Sequence, residues 1–369
     1  MSRKVGWLKT RLKEAQKTKE YSSGEYSYSE TQAEVETGEL IKLDSNENLF
    51  IPPSRFSQIF KEVLKELDPR LYPQSEKIIL IKALSDYLDL PSECFAIGNG
   101  SDELIETTVT AFLRKSEKAI SIMPTFSMYE IIVETHGNAY DAVPLGDEFS
   151  LDVDALFSKV TPETVLCILC TPNNPTGNQF ELNSVRKIVE EFKGIVLIDE
   201  AYAEFAPSSI KELIKEFDNL IILRTFSKTF GLAGLRIGYS LACPEVTSLL
   251  RGTQLPWNVN KFSMRMATKV LEKREVFLED IERVKTERSK MIKRLNRISG
   301  VKAFNSDANF VLFRTEKDAD TVFKELRRKG ILIRNIGYIP FFNKCLRVTI
   351  GLPEMNDQFI KALEEICDG

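Results

Sequence analysis

The sequence contains one histidine, His136, among 369 residues, and this scarcity excludes several kinds of functional site. A metal centre built on histidines is excluded, and a Ser-His-Asp hydrolase would depend on this single residue. His136 is followed by Gly137 and is expected to cap the end of a helix. Proton transfers in an enzyme of this composition would therefore come from Lys, Tyr, Asp or Glu, or from a cofactor.

Long apolar runs, paired cysteines and strong net charge are also missing. No apolar run approaches the roughly 20 residues that span a bilayer, and the N-terminus has no signal-peptide core. The net charge is −4, so nothing in the overall charge favours nucleic acid or a membrane surface as a partner. The six cysteines are scattered. Cys167 and Cys170 lie in an apolar run that predicts a buried strand with reduced thiols, and we expect a cytoplasmic protein.

Apolar runs alternate with stretches of helical periodicity along most of the chain. This alternation predicts an α/β fold, with a large domain whose mostly parallel sheet is flanked by helices and a small α+β domain at the C-terminus. We expect an N-terminal arm over residues 1–45, the large domain over 46–258, and a linker helix with the small domain over 259–369. The arm has basic residues at helical spacing, and its tyrosines, Tyr21 and Tyr26 among them, are either surface residues or part of a lid. The runs that predict elements include strands at 118–122, 165–170, 195–198, 220–223 and 331–334, and one helical region at 259–299.

A stretch after the run at 220–223 combines the features of a covalent cofactor site. It places Lys228 among hydroxyl and aromatic residues, with Arg236 eight positions further on. Poor solvation disfavours the ammonium form of a lysine and leaves its amine nucleophilic near neutral pH. Hydroxyl groups with an arginine suit a phosphate dianion. A surface lysine in a glycine-rich loop explains this stretch alone equally well.

Similar polar clusters follow the other predicted strands, and in parallel sheets ligands bind beyond the carboxyl ends of the strands. Together they match the needs of pyridoxal 5′-phosphate (PLP): a lysine for the aldehyde, donors for the phosphate, a carboxylate for the ring nitrogen, donors for the phenolic oxygen and cover for the ring. In that order the candidates are Lys228; the backbone N–H groups of Ser101 and Asp102 with Thr225, Ser227 and Arg236; Asp199; Asn174 and Tyr202; and Phe126.

These residues resemble a known family in their order and spacing over roughly residues 40–350. Ser227-Lys228 with Arg236, the turn at 174–177 and Asp199-x-Ala201-Tyr202 are similar to the fold-type I PLP-dependent aminotransferases. Within that family, the segments 46–48, 72–73, 98–103, 124–129 and 346–351 resemble the histidinol-phosphate aminotransferase branch, although Leu49 and Leu71 replace its usual proline and arginine. The resemblance implies that Lys228 is the Schiff-base lysine, that Asp199 is the pyridinium partner and that Phe126 stacks on the ring.

The resemblance also implies partners and substrates. Tyr72 would reach the cofactor phosphate of a neighbouring subunit, so we expect a homodimer with shared active sites. Arg347 would bind the substrate carboxylate, which in this branch is that of glutamate, with Asn174 beside it, and Arg334 would lie near the substrate phosphate. The reaction implied is amino transfer from L-histidinol phosphate to 2-oxoglutarate, in histidine biosynthesis.

Other activities on the same scaffold stay open at this point. A threonine-phosphate decarboxylase would also need an arginine for phosphate, and an aromatic amino acid aminotransferase would use the same cofactor site. A transcriptional regulator of this fold would need a fused DNA-binding domain, for which the arm of about 45 residues is too short. A nicotinamide dehydrogenase is disfavoured because no G-x-G-x-x-G follows a strand.

Overall fold

The structure, a computed structural model, describes residues 40–339 and 342–368. Its strands in chain order are β1 (Ile41–Lys42), β2 (Phe95–Gly98), β3 (Lys118–Met123), β4 (Ala139–Pro144), β5 (Thr164–Cys170), β6 (Ile195–Asp199), β7 (Leu220–Thr225), β8 (Gly238–Leu241), β9 (Val301–Ala303), β10 (Phe310–Thr315), β11 (Ile331–Leu332), β12 (Arg334–Ile339) and β13 (Asn343–Thr349). Its helices are α1 (Pro53–Glu66), α2 (Glu76–Leu88), α3 (Ser101–Phe112), α4 (Met128–Thr135), α5 (Val153–Ser158), α6 (Leu182–Glu191), α7 (Pro244–Thr253), α8 (Lys261–Glu272), α9 (Arg274–Leu295), α10 (Ala319–Arg328) and α11 (Pro353–Asp368).

The larger sheet has seven strands in the order β2-β8-β7-β6-β5-β3-β4, and only β8 runs antiparallel to its neighbours. Successive residues of β6 enter different apolar clusters: Val196 and Ile198 pack on one face of the sheet and Leu197 on the other. Because side chains alternate across a strand, this pattern means that the sheet is covered on both faces. The prediction of an α/β fold with a mostly parallel sheet flanked by helices is therefore confirmed.

A second sheet, β12-β13-β10-β9, is antiparallel and packs in an apolar cluster with residues of α9, α10 and α11. Its register places Arg334 directly opposite Arg347. The short strand β1 pairs in parallel with β11, and the backbone N–H of Thr349 donates to the carbonyl of Leu43 at 2.8 Å. The segment from residue 40 onward is thus attached to the second sheet. The domain boundaries at residues 45 and 258 stay a prediction.

Two sequence-based expectations are wrong in detail. The helical region predicted at 259–299 is divided into α8 and α9, because Lys273 between them has the non-helical angles φ −112° and ψ 21°. The strand predicted at 331–334 is also divided: Ile331 pairs with β1, whereas Arg334 pairs with β13 in another sheet. His136 caps the C-terminus of α4, as predicted, and Cys167 and Cys170 are free, buried thiols on β5. Within the described residues, no helix has the length and apolar character needed to cross a membrane.

Candidate active site

A cavity of about 380 Å³ lies where the carboxyl ends of β5, β6 and β7 meet the second sheet. The predicted site residues other than Tyr72 all line it. They are Ser101, Asp102, Phe126, Asn174, Asp199, Tyr202, Thr225, Ser227, Lys228, Arg236, Arg334 and Arg347. Their convergence follows from the topology, because parallel strands bring their carboxyl ends to one edge of a sheet.

Lys228 lies in the turn that follows β7. Its Nζ donates to the backbone carbonyl of Ser45 at 2.9 Å. Burial in the cavity wall, followed by the positive charge of Arg347, lowers the pKa of this amine to about 8. A lysine in this state supplies free amine near neutral pH, which nucleophilic attack on an aldehyde requires.

Asp199 ends β6 and is almost completely buried. Its Oδ2 accepts a hydrogen bond of 2.7 Å from the hydroxyl of Tyr129, and its Oδ1 accepts one of 3.0 Å from the backbone N–H of Ala201. Burial raises the pKa of this carboxyl to about 6, while the two donors oppose the rise. A buried carboxylate whose two donors are neutral is well suited to a cationic ligand group.

The opposite end of the cavity combines a helix N-terminus with hydroxyl groups and a guanidinium. Helix α3 begins at Ser101, so its first N–H groups point out of the helix end. Nη2 of Arg236 donates to Oδ2 of Asp102 at 2.8 Å. Gly100 has a φ of +85°, a backbone conformation that glycine adopts without the strain other residues would have there. With Thr225 and Ser227 beside it, this end suits a phosphate.

The arginines of the second sheet form the remaining wall. Arg347 is buried on β13, where Nη1 donates to Oδ1 of Asn174 at 2.5 Å and Nη2 to the carbonyl of Asp44 at 2.8 Å. Its guanidinium lies 5.1 Å from the centre of the Phe310 ring. Arg334 lines the same cavity from the neighbouring strand. Two guanidinium groups on adjacent strands can bind a carboxylate or a phosphate.

Tyr72 lies away from this cavity. Its side chain is 68% exposed, and its ring stacks on Trp257 with the centroids 4.3 Å apart. The two rings line a separate surface hollow that also includes Leu71. The predicted role of Tyr72 in a neighbouring subunit stays a prediction. Tyr21 and Tyr26 lie outside the described residues.

Sequence reasoning missed several residues that complete the cavity. The segment 44–46 lines it, and the Nδ2 of Asn46 donates to the hydroxyl of Tyr202 at 3.0 Å. Tyr129 lies behind Asp199 with no exposed surface. Both belong to motifs noted in the sequence, 46–48 and 124–129, but nothing in the motifs themselves indicates their hydrogen-bond partners.

The profile of the family described as "Aminotransferase class I and II" matches residues 38–363 of the chain. The chain belongs to this family. A histidinol-phosphate aminotransferase of Desulfitobacterium hafniense (strain Y51) is 39% identical over 88% of this chain and 91% of its own length. The crystal structure of a histidinol-phosphate aminotransferase from Clostridium acetobutylicum is 30% identical, covers 88% of this chain and 98% of its own, and superposes with a TM-score of 0.81. A third protein, a histidinol-phosphate aminotransferase from Sinorhizobium meliloti in complex with PLP, shares the fold at 24% identity, with a TM-score of 0.85 and coverage of 94% of this chain and 95% of that one.

Class I and II aminotransferases depend on PLP, and the cavity of this aminotransferase fits that cofactor. An amine with a lowered pKa and a buried carboxylate with a raised pKa lie in the same cavity as a cluster of phosphate donors. The residues that would hold PLP are Lys228 at its aldehyde, Asp199 at its ring nitrogen, and Thr225, Ser227 and Arg236 with the start of α3 at its phosphate. Phe126, which also lines the cavity, would cover a face of the ring. The protein is a PLP-dependent transaminase.

Proposed function

We propose that this aminotransferase transfers the amino group of L-histidinol phosphate to 2-oxoglutarate, which forms imidazole acetol phosphate and L-glutamate in histidine biosynthesis. The observation that carries the proposal is the cross-strand pair of Arg334 and Arg347 in the cavity wall. One half-reaction brings a phosphate and the other brings carboxylates, so a site for both needs cations that accept either anion. The identity to histidinol-phosphate aminotransferases over nine-tenths of the chain supports the same substrate.

In the proposed mechanism the residues of the cavity hold the cofactor and move a proton at the substrate's α-carbon. PLP supplies, when bound, an electron sink for the charge that develops on the substrate's α-carbon. Lys228 would hold the cofactor at its aldehyde, and its amine would move the proton at that carbon. Its lowered pKa supports this role, because the best general bases have pKa values near the working pH. Asp199 would hold the proton on the ring nitrogen, and Tyr202 and Asn174 would donate to the phenolic oxygen.

The arginines are assigned by their chemistry and burial. Arg347, buried between Asn174 and the ring of Phe310, has a guanidinium that is already oriented and would bind a carboxylate through two parallel hydrogen bonds. Arg334, which is only partly buried, would bind the substrate phosphate. The phosphate of one substrate and the carboxylates of the other would then both find a guanidinium group already present in the cavity wall.

We further propose that the active unit is a homodimer in which Tyr72 reaches the partner's cofactor phosphate. The exposed stack of Tyr72 on Trp257 supports this, because two large aromatic rings on a surface are typical of a protein interface. We also propose that the enzyme works in the cytoplasm. Its six free thiols, five of them buried, are compatible with a reducing compartment.

A donor screen with purified holoenzyme tests the substrate. We expect kcat/KM for L-histidinol phosphate to exceed that for phenylalanine and tyrosine, with 2-oxoglutarate as acceptor. Arg334→Ala should raise the KM for histidinol phosphate at least about 10-fold and affect the glutamate half-reaction less. Arg314→Ala is the matched control, because Arg314 lies on β10 of the same sheet but not in the cavity wall.

Two outcomes would replace the proposed substrate. Preferred turnover of phenylalanine or tyrosine would make the protein an aromatic amino acid aminotransferase. Release of carbon dioxide from threonine phosphate, without amino transfer, would make it a lyase on the same scaffold.

A further inference from the structure

Tyr129 is a buried titratable group to which the mechanism above gives no role. We propose that Tyr129 is a positioning residue: its hydroxyl keeps Asp199 ionised and fixes the orientation of that carboxylate at the wall of the cavity. The carrying observation is the hydrogen bond of 2.7 Å from this hydroxyl to Oδ2 of Asp199, between two side chains that are almost completely buried. A buried phenol hydroxyl needs a partner, and here the partner is the carboxylate itself.

The backbone explains why this tyrosine reaches the acid. Phe126 lines the cavity, and the backbone N–H of Tyr129 donates to the carbonyl of Phe126 at 3.2 Å in the turn that opens α4. The two rings meet edge to face, with centroids 5.6 Å apart and planes at 86°. One turn therefore presents an aromatic ring to the cavity and a phenol to the acid behind it, so Asp199 is held from the side opposite the cavity.

The surroundings of Asp199 make such a donor necessary. The titratable groups that face it are the carboxylates of Asp102 and Glu200, which favour its protonation, the phenol of Tyr202 and the thiol of Cys170. Against these, the hydroxyl of Tyr129 and the backbone N–H of Ala201 favour the charged form.

The phenol also remains a donor at working pH. Burial raises the pKa of Tyr129 well above its usual value, so the hydroxyl keeps its proton while Asp199 ionises. A hydrogen bond to a charged group has a free energy equivalent to about one to two pKa units. Loss of the Tyr129 hydroxyl should therefore move the pKa of Asp199 from about 6 to neutral pH or above.

Only the expected effect on PLP binding rests on the proposed role of Asp199; the hydrogen bond and its effect on the Asp199 pKa do not. A protonated, neutral Asp199 cannot pair with a pyridinium cation. Tyr129→Phe should therefore weaken PLP affinity relative to wild type at pH 7, and this difference between the two proteins should shrink at pH 8.5 because Asp199 ionises again. The comparison with wild type cancels the titration of Lys228, and a loss caused by altered packing alone would leave the difference unchanged.

The primary experiment needs no cofactor. The apoprotein is labelled with carbon-13 at aspartate Cγ, the Asp199 signal is assigned by its absence in Asp199→Asn, and its pKa is read from the chemical shift against pH. We expect Tyr129→Phe to raise this pKa by at least about one unit. Tyr140→Phe is the control, since Tyr140 is a partly buried tyrosine next to Ser121 and lies outside the cavity wall; it should leave the Asp199 pKa unchanged.

A second arm covers the case in which Tyr129→Phe does not fold. Incorporation of 3-fluorotyrosine at position 129 keeps the shape of the ring and makes the hydroxyl a stronger donor, so the Asp199 pKa should fall. A folded Tyr129→Phe protein with an unchanged Asp199 pKa, or a fluorinated protein whose Asp199 pKa does not fall, would overturn the proposal. If Asp199→Asn retains wild-type turnover, the proposed role of Asp199 fails instead, and the titration result is unaffected.

Discussion

The pKa of Lys228 gives a measurable signature of the cavity. With a pKa of about 8, roughly one-tenth of the amine is free at pH 7, whereas at the usual value of 10.5 only about one molecule in 3,000 is free. The lowered pKa therefore increases the reactive fraction about 300-fold. The two largest causes of the lowering are, in order of size, removal of the ammonium group from water and repulsion from the positive charge of Arg347.

Competitive acylation measures the reactivity of the Lys228 amine separately from that of the other lysines. Apoprotein is pulsed with acetic anhydride over a series of pH values, and the peptide that contains Lys228 is quantified by mass spectrometry. Its reaction should increase about 10-fold per pH unit below pH 8 and level off above that value. Protein loaded with PLP serves as the control for assignment, because an amine that carries the cofactor should be protected.

Replacement of the neighbouring charge tests the second cause. Arg347→Met should move the midpoint upward, because the ammonium form is no longer repelled, but not as far as 10.5, because burial remains. Arg334→Met, which removes a cation from the same cavity wall, should produce a smaller shift. A midpoint near 10.5 in the wild-type protein would refute the reasoning, and so would an Arg347→Met midpoint at or below the wild-type one.

Three further predictions concern other parts of the molecule. Asp199→Asn should lower kcat at least about 100-fold while PLP affinity changes less, since the acid acts mainly in the transition state; turnover within a few-fold of wild type would exclude its role. Mixing inactive Tyr72 and Lys228 variants should restore about a quarter of the sites if subunits exchange at random, and no recovery after verified exchange would count against shared sites. Glu200→Gln should lower the free energy of unfolding by about 1.5–3 kcal/mol in urea titrations, because it removes the closer of the two carboxylates that pair with the buried charge of Arg224 and leaves only Glu204; a loss below about 1 kcal/mol would contradict this.

The location of the site could be predicted from the sequence because it depends on local patterns. Apolar runs that end in polar clusters predicted β5, β6 and β7, and the rule for parallel sheets brought those ends together. Asp199 and Lys228 were identified in this way, and both line the cavity. Arg334 and Arg347 follow from the resemblance, and the register places them opposite each other.

Pairings between distant residues could not be predicted in the same way. The strand predicted at 220–223 ends before Arg224. In the structure β7 continues to Thr225, and Arg224 is buried because Glu200 accepts from its Nη2 at 2.8 Å and Ser209 accepts from the same nitrogen at 2.6 Å. Local periodicity carries no information on such partners, since they come from other segments of the chain.

The segment 44–46 explains why Lys228 and Arg347, the two principal cations of the site, are close although Lys228 follows a strand of the first sheet and Arg347 lies in the second. Its three successive carbonyls accept hydrogen bonds from Arg347 at 2.8 Å, Lys228 at 2.9 Å and Asn309 at 2.9 Å. Asn46 has a φ of +55°, a conformation that asparagine tolerates better than most residues. The segment is attached to the second sheet through Thr349, yet it contacts the lysine of the first. Residues outside both sheets therefore fix the relative placement of Lys228 and Arg347. For this reason the distance between these two cations could not be predicted from their separation in the sequence.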